Sequence, residues 1–407
     1  MRSVFVLLPF LLGSPVREPV VIPAPSEPRQ EEIAGLESSD PVIARRAFEA
    51  LVRRGEDKPL SDLPRKSDRV AHVLAEIRAH RRFGDAYPPL EPIRYEAEDR
   101  PTRELLEDFR KILKLPIDRA RPESVDVVLP PLREKTTIRL KAAYPLEALD
   151  ELGRALDETM WVTDGTLKHV PGARRPPVFR TYARHFLIDV ERFVEERHRE
   201  STGETKETTY LWMRLQHDWL VRIVGMRPVR FLHISDDLGH SLLPDSPPDQ
   251  ASWGDFQNLS SQLFIKTPDP RARKLARLKG VVPYFFPERP ATAELSLSAD
   301  KKELSLKNLV LNIEKASPTC SEVRVTGRVG DLNAAHVWPE VNEFQLKGKD
   351  GRLLTARGAR AGQRESAVWD LSFAVPEAFE PSALRIRHFE GVGEHEIAFE
   401  FTDVPIR

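Results

Sequence analysis

Four residues with metal-ligand chemistry lie close together in one short segment of the chain. They are His233, Asp236, Asp237 and His240. Imidazole nitrogen and carboxylate oxygen atoms are ligands that zinc and manganese accept, and alternation along a strand could place one His and one Asp on the same face. The alternative is an exposed turn in which Asp and Gly serve the backbone. We favour the turn and predict no metal, with these four residues as the candidates should one bind.

The sequence contains no recognisable catalytic motif. No Gly-x-Ser-x-Gly, Walker loop, His-Glu-x-x-His or dinucleotide fingerprint is present. One further polar group surrounds a Gly-Val-Gly segment and consists of Glu390, Glu394, His395 and Glu396. Two glycines in this setting predict a hairpin rather than a phosphate loop. Cys320 is the only cysteine, which excludes an intrachain disulfide and a thiolate metal cluster. We predict no catalytic residues and no cofactor.

The tryptophans leave a carbohydrate-binding alternative open. Those considered are Trp212, Trp219, Trp253, Trp338 and Trp369. Trp212 lies opposite the apolar face of its strand, whereas Trp253 and Trp338 lie in loops rich in Pro, Gly and polar residues. An exposed indole can stack on a sugar, but a packing role in a core or at a sheet edge is the favoured interpretation. Two acids of a glycosidase could also be present among the many carboxylates.

Length and charge limit the classes of function. A chain of 407 residues is too long for one ordinary core, so several domains are expected. With 62 basic and 63 acidic residues the net charge is −1, which argues against a nucleic-acid binder and gives no reason to expect an anionic membrane surface.

The first residues have the layout of a secretory signal peptide. A short positive region, Met1-Arg2-Ser3, precedes an apolar run and then small residues at Gly13-Ser14. That run is too short to span a bilayer, and no later segment is long and apolar enough to do so. We predict a signal peptide at 1–14, a flexible linker at 15–37, and export to the periplasm, the cell envelope or the exterior.

The next segment, 38–115, is predicted to be helical. Asp40-Pro41 begins a helix that ends at Gly55, because Asp is a favoured N-cap and Pro fits the first helical position. A second helix runs from Ser67 to Gly84, and a third is expected at about 101–114. The first two resemble one HEAT-type hairpin at 38–84. A single hairpin cannot bury its own apolar face, so it must pack on the third helix or on a partner.

A small βαββ module is predicted at 125–172. Strands at 125–129 and 136–140 precede a helix that begins at Pro145, and a hairpin with the turn Asp164-Gly165 follows. The segment "LEALDELGRALDETMWVTDGTL" resembles the short N-terminal domain of secretin and TonB proteins, a resemblance that covers about 125–171. It implies a periplasmic protein-contact module without chemistry. No barrel and no secretin core follow it, so a role in secretion or transport is not implied.

Two related β-modules are predicted after this, at 177–298 and 302–407. "FLHISDDLGHSLLP" at Phe231 aligns with "FQLKGKDGRLLT" at Phe344, each a strand, an Asp/Gly turn and a strand. Each module has the size and alternation of an antiparallel, Ig-like β-sandwich. Phrases such as "EIAFEFTDVPI" resemble uncharacterised exported bacterial proteins, which lend no known activity. The expected fold class is therefore multi-domain α+β.

These observations predict a non-enzymatic interaction or scaffold protein of the cell envelope, with another envelope protein as its partner and no nucleic acid. The alternatives are an envelope carbohydrate-binding protein, whose partner would be a glycan, and a hydrolase with an unrecognised site. The residues expected to form the contact surface are Leu146, Leu149, Trp161, Trp253 and Trp338.

Overall fold

Strands make up most of the structure, which is a computed structural model of the chain. It describes residues 30–55, 60, 67–113, 115, 134–163, 166–172, 179–199, 205–245, 252–253, 258–297, 303–330, 337–362 and 365–406. Strands account for 53% and helices for 22%, and the sheets are antiparallel, which confirms a mostly β chain with an added helical part. The predicted signal peptide, most of the linker, the strand at 125–129, the turn at 164–165 and the join at 298–302 lie outside the described residues.

In the described part of the first half of the chain, five α-helices have defined bounds. They are α1 Gln30–Leu36, α2 Pro41–Arg54, α3 Asp68–Phe83, α4 Thr102–Ile112 and α5 Pro145–Leu156. The Asp40 carboxylate accepts the backbone N–H of Val42 at 2.8 Å, and Gly55 ends α2 with a left-handed φ of 68°. Both ends of α2 are those that the sequence predicts. No helix in the described ranges combines the length and the apolar character needed to cross a bilayer.

The helical hairpin of α2 and α3 packs on a helix that was not expected. Residues 30–36 belong to the predicted linker, but they form α1, and Leu36 lies in one core with Leu51 and Ile77. The hairpin therefore buries its apolar face against α1 rather than against α4.

Helix α4 instead belongs to a second core with the βαββ segment. This unit contains the strands β1 Ile93–Pro101, β2 Lys135–Ala143, β3 Glu158–Thr163 and β4 Thr166–Pro171. Strand β1 pairs with β2, β3 pairs with β4, and Phe109 of α4 shares the core with Leu149 and Leu152 of α5. Strand β1 lies within 38–115, so the prediction that this whole segment is helical is wrong; the strand has a weak pattern, in which charged residues alternate with apolar ones as small as Ala97.

A first sandwich follows this unit. Its strands are β5 Phe179–Ala183, β6 Phe186–Arg199, β7 Thr205–His217, β8 Gly225–Met226, β9 Arg230–Asp236, β10 Ser252–Trp253, β11 Asn258–Ile265 and β12 Lys274–Ser296. One sheet has the order β11-β7-β6-β5, and its inner side chains, such as Ile188 and Leu211, pack against Val282 and Phe286 of β12.

A second sandwich repeats this strand order. Its strands are β13 Glu303–Leu306, β14 Leu309–Ala316, β15 Glu322–Val329, β16 Phe344–Gly348, β17 Leu353–Thr355, β18 Arg357–Gly362, β19 Ser366–Ser372 and β20 Pro381–Pro405. Strands β13-β14-β15-β19 correspond to β5-β6-β7-β11, with β18 added at the edge beside β19, and the pair β16 with β20 corresponds to β9 with β12. The two segments aligned in the sequence, at Phe231 and Phe344, therefore occupy equivalent strands.

The two sandwiches share one sheet. Strands β12 and β20 pair from Lys274 with Pro405 to Ser296 with Ala383, so each strand passes through both cores. Phe401 of β20 lies in the first core, whereas Ile386 of the same strand lies in the second. The predicted division at 298–302 therefore does not separate the cores, since the end of the chain returns to the first one. The hairpin predicted at Gly391-Val392-Gly393 is also wrong, because β20 continues through it.

Candidate ligand cleft and the buried ionic cluster behind it

Arg184 joins the helical hairpin to the first sandwich. It lies in the two-residue turn between β5 and β6, with a left-handed φ of 58°. Its guanidinium donates to both carboxylate oxygens of Glu49 on α2, at 2.7 and 2.9 Å, and to a carboxylate oxygen of Glu76 on α3. Relative exposure is 3% for Arg184, 0% for Glu49 and 2% for Glu76. Such a buried pair depends on complete hydrogen bonding, because each ion has lost its water.

Further donors surround the Glu76 carboxylate. The Tyr87 hydroxyl donates to its Oε2 at 2.8 Å, and Nε2 of His395 on β20 lies 3.1 Å from its Oε1. Burial by itself would raise the pKa of Glu76, but the Arg184 charge and the bonds from His395 and His72 hold that pKa well below its usual value. Burial and the Glu76 charge raise the pKa of Tyr87 well above its ordinary range. The acid therefore stays ionised and the phenol stays protonated.

His80 is held in the neutral form by its two partners. Its Nδ1 faces the backbone carbonyl oxygen of Tyr87, to which it donates, and its Nε2 lies 3.0 Å from an Arg184 nitrogen, from which it accepts. Protonation of Nε2 would set two cationic donors against each other. Burial and the Arg184 charge accordingly lower the pKa of His80 from 6.5 to about 4, although Glu76 acts in the opposite direction.

This arrangement predicts a loss of stability in mild acid. Between pH 6.5 and about 4 the unfolded chain binds a proton at His80 that the folded chain does not, so the free energy of unfolding falls as the pH is lowered. We expect a decrease of about 2 kcal/mol over this window, discounted because the ring is partly exposed. Urea denaturation at several pH values measures it. His80→Gln, which keeps a donor and an acceptor, should flatten the dependence; an unchanged slope would contradict the assignment to His80.

An open cleft of about 430 Å³ lies beside Asp85 and Ala86, next to Tyr87 of the cluster in the sequence. It lies between the end of the helical hairpin, the first sandwich and the second sandwich. Its lining consists of Asp85, Ala86, Arg222, Thr292, Glu340, Asn342, Glu343, Gln345, Arg385, Arg387 and Phe389. The backbone N–H of Arg222 donates to the carbonyl oxygen of Ala86 at 2.9 Å, which fixes the helical edge of the cleft against the first sandwich.

Two of the three cleft arginines are neutralised. Arg222 donates to Glu343 at 2.6 Å, and Arg387 donates to Asp85 at 2.8 Å. Both guanidinium groups also lie over the Phe389 ring, 4.8 and 5.7 Å from its centroid. Among the described residues, the guanidinium of the third arginine, Arg385, has no hydrogen-bond or ion-pair partner. The cleft therefore contains one half-buried cationic group that is available to a ligand.

The four metal-ligand candidates have structural roles around their turn. Asp236 is 1% exposed and accepts the backbone N–H groups of Leu238 at 3.0 Å and His240 at 2.8 Å, and the His240 ring at 3.1 Å. Asp237 accepts the backbone N–H of Arg273, and His233 bonds to Ser235. In the described parts of the chain, no three His, Cys, Asp or Glu side chains are placed to hold a metal ion. The geometry is that of an ordered turn.

Two of the five residues predicted to form a contact surface are buried in a core. Leu146 and Leu149 are 4% and 2% exposed, because the apolar stripe of α5 faces the core, so this part of the prediction is wrong. Trp161 is half-buried. Trp338 is also half-buried and packs edge-on against Trp369 at 5.5 Å between ring centroids. The side chain of Trp253 lies outside the described residues.

The rings of Tyr210, Trp212 and Phe264 lie close together but do not form a flat platform. Trp212 lies on the outer face of the four-stranded sheet, with Arg192 4.8 Å from its ring centroid. The neighbouring Tyr210 ring is tilted by 56° to Trp212 and by 68° to Phe264, which is 57% exposed. Trp219 donates from its indole nitrogen to the carbonyl oxygen of Leu113 at 3.1 Å, a packing role. Cys320 is half-buried against the second core.

Neither the Arg184 cluster nor the cleft was predicted from the sequence. The positions of Glu49 and Glu76 are a sequence feature that could have indicated the cluster. Glu49 lies next to Phe48 and shortly before Leu51, and Glu76 lies three residues after Val73, so both acids fall on apolar helix faces. A carboxylate at such a position indicates a buried partner, because an unpaired buried charge is too costly. Nothing local identifies that partner as Arg184.

No protein-family model, curated protein or solved structure is significantly similar to this chain.

Proposed function

We propose that the chain is a non-enzymatic interaction and scaffold protein of the cell envelope. The observation that carries this proposal is the Arg184 cluster, in which the buried acid, base and phenol groups bind one another across three parts of the fold. A general acid or base must reach a substrate, and its pKa must lie near the working pH. Glu76 and Tyr87 meet neither condition, because they are buried and their pKa values are moved away from neutrality. His80 is only half-buried, but its pKa of about 4 also lies far from neutrality.

The cluster supports a scaffold because it fixes the parts of the chain relative to one another. Arg184 and His395 belong to the first sandwich, Glu49 and Glu76 to the helical hairpin, and the shared strands β12 and β20 join the sandwiches. We propose that the sandwiches are Ig-like modules and that the segment at 125–171 is the contact module that its resemblance implies. Export rests on the layout of the first fourteen residues.

The structure determines how this function is best tested. Deletion of 125–171 would remove β2, α5, β3 and β4, and it would expose Leu105 and Phe109 of the shared core, so a deletion would report on folding. A charge reversal on the outer face of α5, Glu151→Arg with Arg154→Glu, leaves the core intact, because these side chains are 41% and 66% exposed.

The full chain serves as bait in envelope extract, and the captured protein is identified, purified and titrated. We expect the α5 charge reversal to weaken its binding at least tenfold, which corresponds to about 1.4 kcal/mol. The matched control, Arg324→Asp with Asp370→Arg, exchanges a half-exposed ion pair of the second sandwich and should bind as the original chain does. Equal binding by all three chains would contradict the contact-module role.

A carbohydrate-binding function remains the second candidate, and the cleft favours it. A sugar-stacking platform needs exposed, coplanar aromatic rings, and Tyr210, Trp212 and Phe264 do not form one, because their rings are tilted to one another. The polar cleft, by contrast, has the volume of a small-molecule site and contains several uncharged hydrogen-bonding side chains.

A further inference from the structure

We infer that the cleft binds a small ligand with one carboxylate and several hydroxyl groups, of the class of sugar acids. The central residue is Arg385 on β20. Its neighbours Leu384 and Ile386 point into the second core, so alternation places Arg385 and Arg387 on the outer face of the shared sheet, which forms a wall of the cleft.

Arg385 keeps its charge available because the nearby acids are engaged elsewhere. Glu294 lies opposite it on β12, but both oxygens of that carboxylate accept from Lys347, at 2.9 and 2.8 Å. A carboxylate oxygen of Glu340 lies 3.9 Å from a guanidinium nitrogen of Arg222 and 3.5 Å from one of Arg360. Arg360 is not part of the cleft lining. The planar guanidinium of Arg385 matches the geometry of a carboxylate, which it can bind through two parallel hydrogen bonds.

The charge balance favours a monoanion. The lining contains three arginines and three acids, Asp85, Glu340 and Glu343. Glu343 and Asp85 neutralise Arg222 and Arg387, and Arg360 helps to neutralise Glu340, so about one positive charge remains at Arg385. A phosphate dianion would bring a second negative charge close to these carboxylates, and like charges repel.

The uncharged residues indicate the rest of the ligand. Thr292, Asn342 and Gln345 line the same cleft, and Gln345 is the register partner of Arg385 on β16. Amides and hydroxyls both donate and accept, so they suit the hydroxyl groups of a sugar ring beside the carboxylate. A volume of about 430 Å³ lies within the range of small-molecule sites.

Isothermal titration of the purified full chain tests this inference with three probes: D-glucuronate, D-glucose and inorganic phosphate. We expect glucuronate to bind at least tenfold more tightly than either of the other two. Arg385→Gln should reduce glucuronate affinity at least tenfold. The matched control is Arg277→Gln, which removes an exposed arginine from β12 in the same sheet and should leave affinity unchanged. Near-ultraviolet circular dichroism verifies that both variants are folded.

Three outcomes would overturn the inference: equal binding of glucose and glucuronate, tighter binding of phosphate, or unchanged affinity in folded Arg385→Gln. A substitution of Gln345 by Ala gives a second measurement, with an expected loss of at least threefold for glucuronate. This inference does not depend on the scaffold proposal, because the capture experiment alters α5 and this one alters the cleft. Either can therefore fail without the other.

Discussion

Arg184→Leu is expected to lower the free energy of unfolding by about 3–5 kcal/mol, since removal of one partner from a buried ion pair leaves uncompensated charge. Glu49 and Glu76 would lose their shared cation while they remain shielded from water. The hairpin of α2 and α3 would also lose its polar connection to the turn between β5 and β6. The helices should therefore open before the sandwiches do.

Urea denaturation followed by circular dichroism, with hydrogen exchange of α2 and α3, measures this effect. The control Arg324→Leu breaks a half-exposed pair with Asp370 and should change stability by less than about 1 kcal/mol. A triple variant with Arg184, Glu49 and Glu76 all changed to Leu should recover much of the loss, since no buried charge remains. If Arg184→Leu were as stable as the control, the cluster would not hold the hairpin in place.

Trp369→Ala is expected to lower the free energy of unfolding by about 3–5 kcal/mol, the usual range for a fully buried aromatic residue replaced by Ala. Trp369 is 0% exposed, its ring centroid lies 5.4 Å from that of Phe344, and its indole N–H donates to the carbonyl oxygen of Pro339 at 2.9 Å. The substitution leaves a cavity in the second core and an acceptor without its donor.

The shared strands extend this prediction to the first sandwich. Because β12 and β20 are paired along their whole length, loosening of the second core should accelerate hydrogen exchange at both of their ends. Hydrogen exchange measured by mass spectrometry resolves the two halves of each strand. Phe264→Ala, which removes a side chain that is 57% exposed, serves as the control and should have little effect. Faster exchange confined to the second half would show that the two sandwiches are energetically independent.

Some features of the fold can be predicted from local sequence. The limits of α2 follow from Asp40, Pro41 and Gly55, because caps act through neighbouring backbone groups. Alternation along β6 and β7 likewise identifies their inner faces. By contrast, the length of β12 is not evident from its sequence, which contains prolines at 283, 287 and 290, yet β12 is one strand in which each proline has a register partner on β20.

Local sequence thus determined the type of most elements, their strand alternation, the mostly β class and the likeness of the two sandwiches. Only the tertiary structure decided which elements share a core: α4 with the βαββ unit, and the end of β20 with the first sandwich. It also decided that Arg184 meets Glu49 from 135 positions away, and that Arg385 lies in a cleft. Caps and alternation depend on neighbours in sequence, whereas pairing of buried charges and closure of a cleft depend on contacts between distant segments.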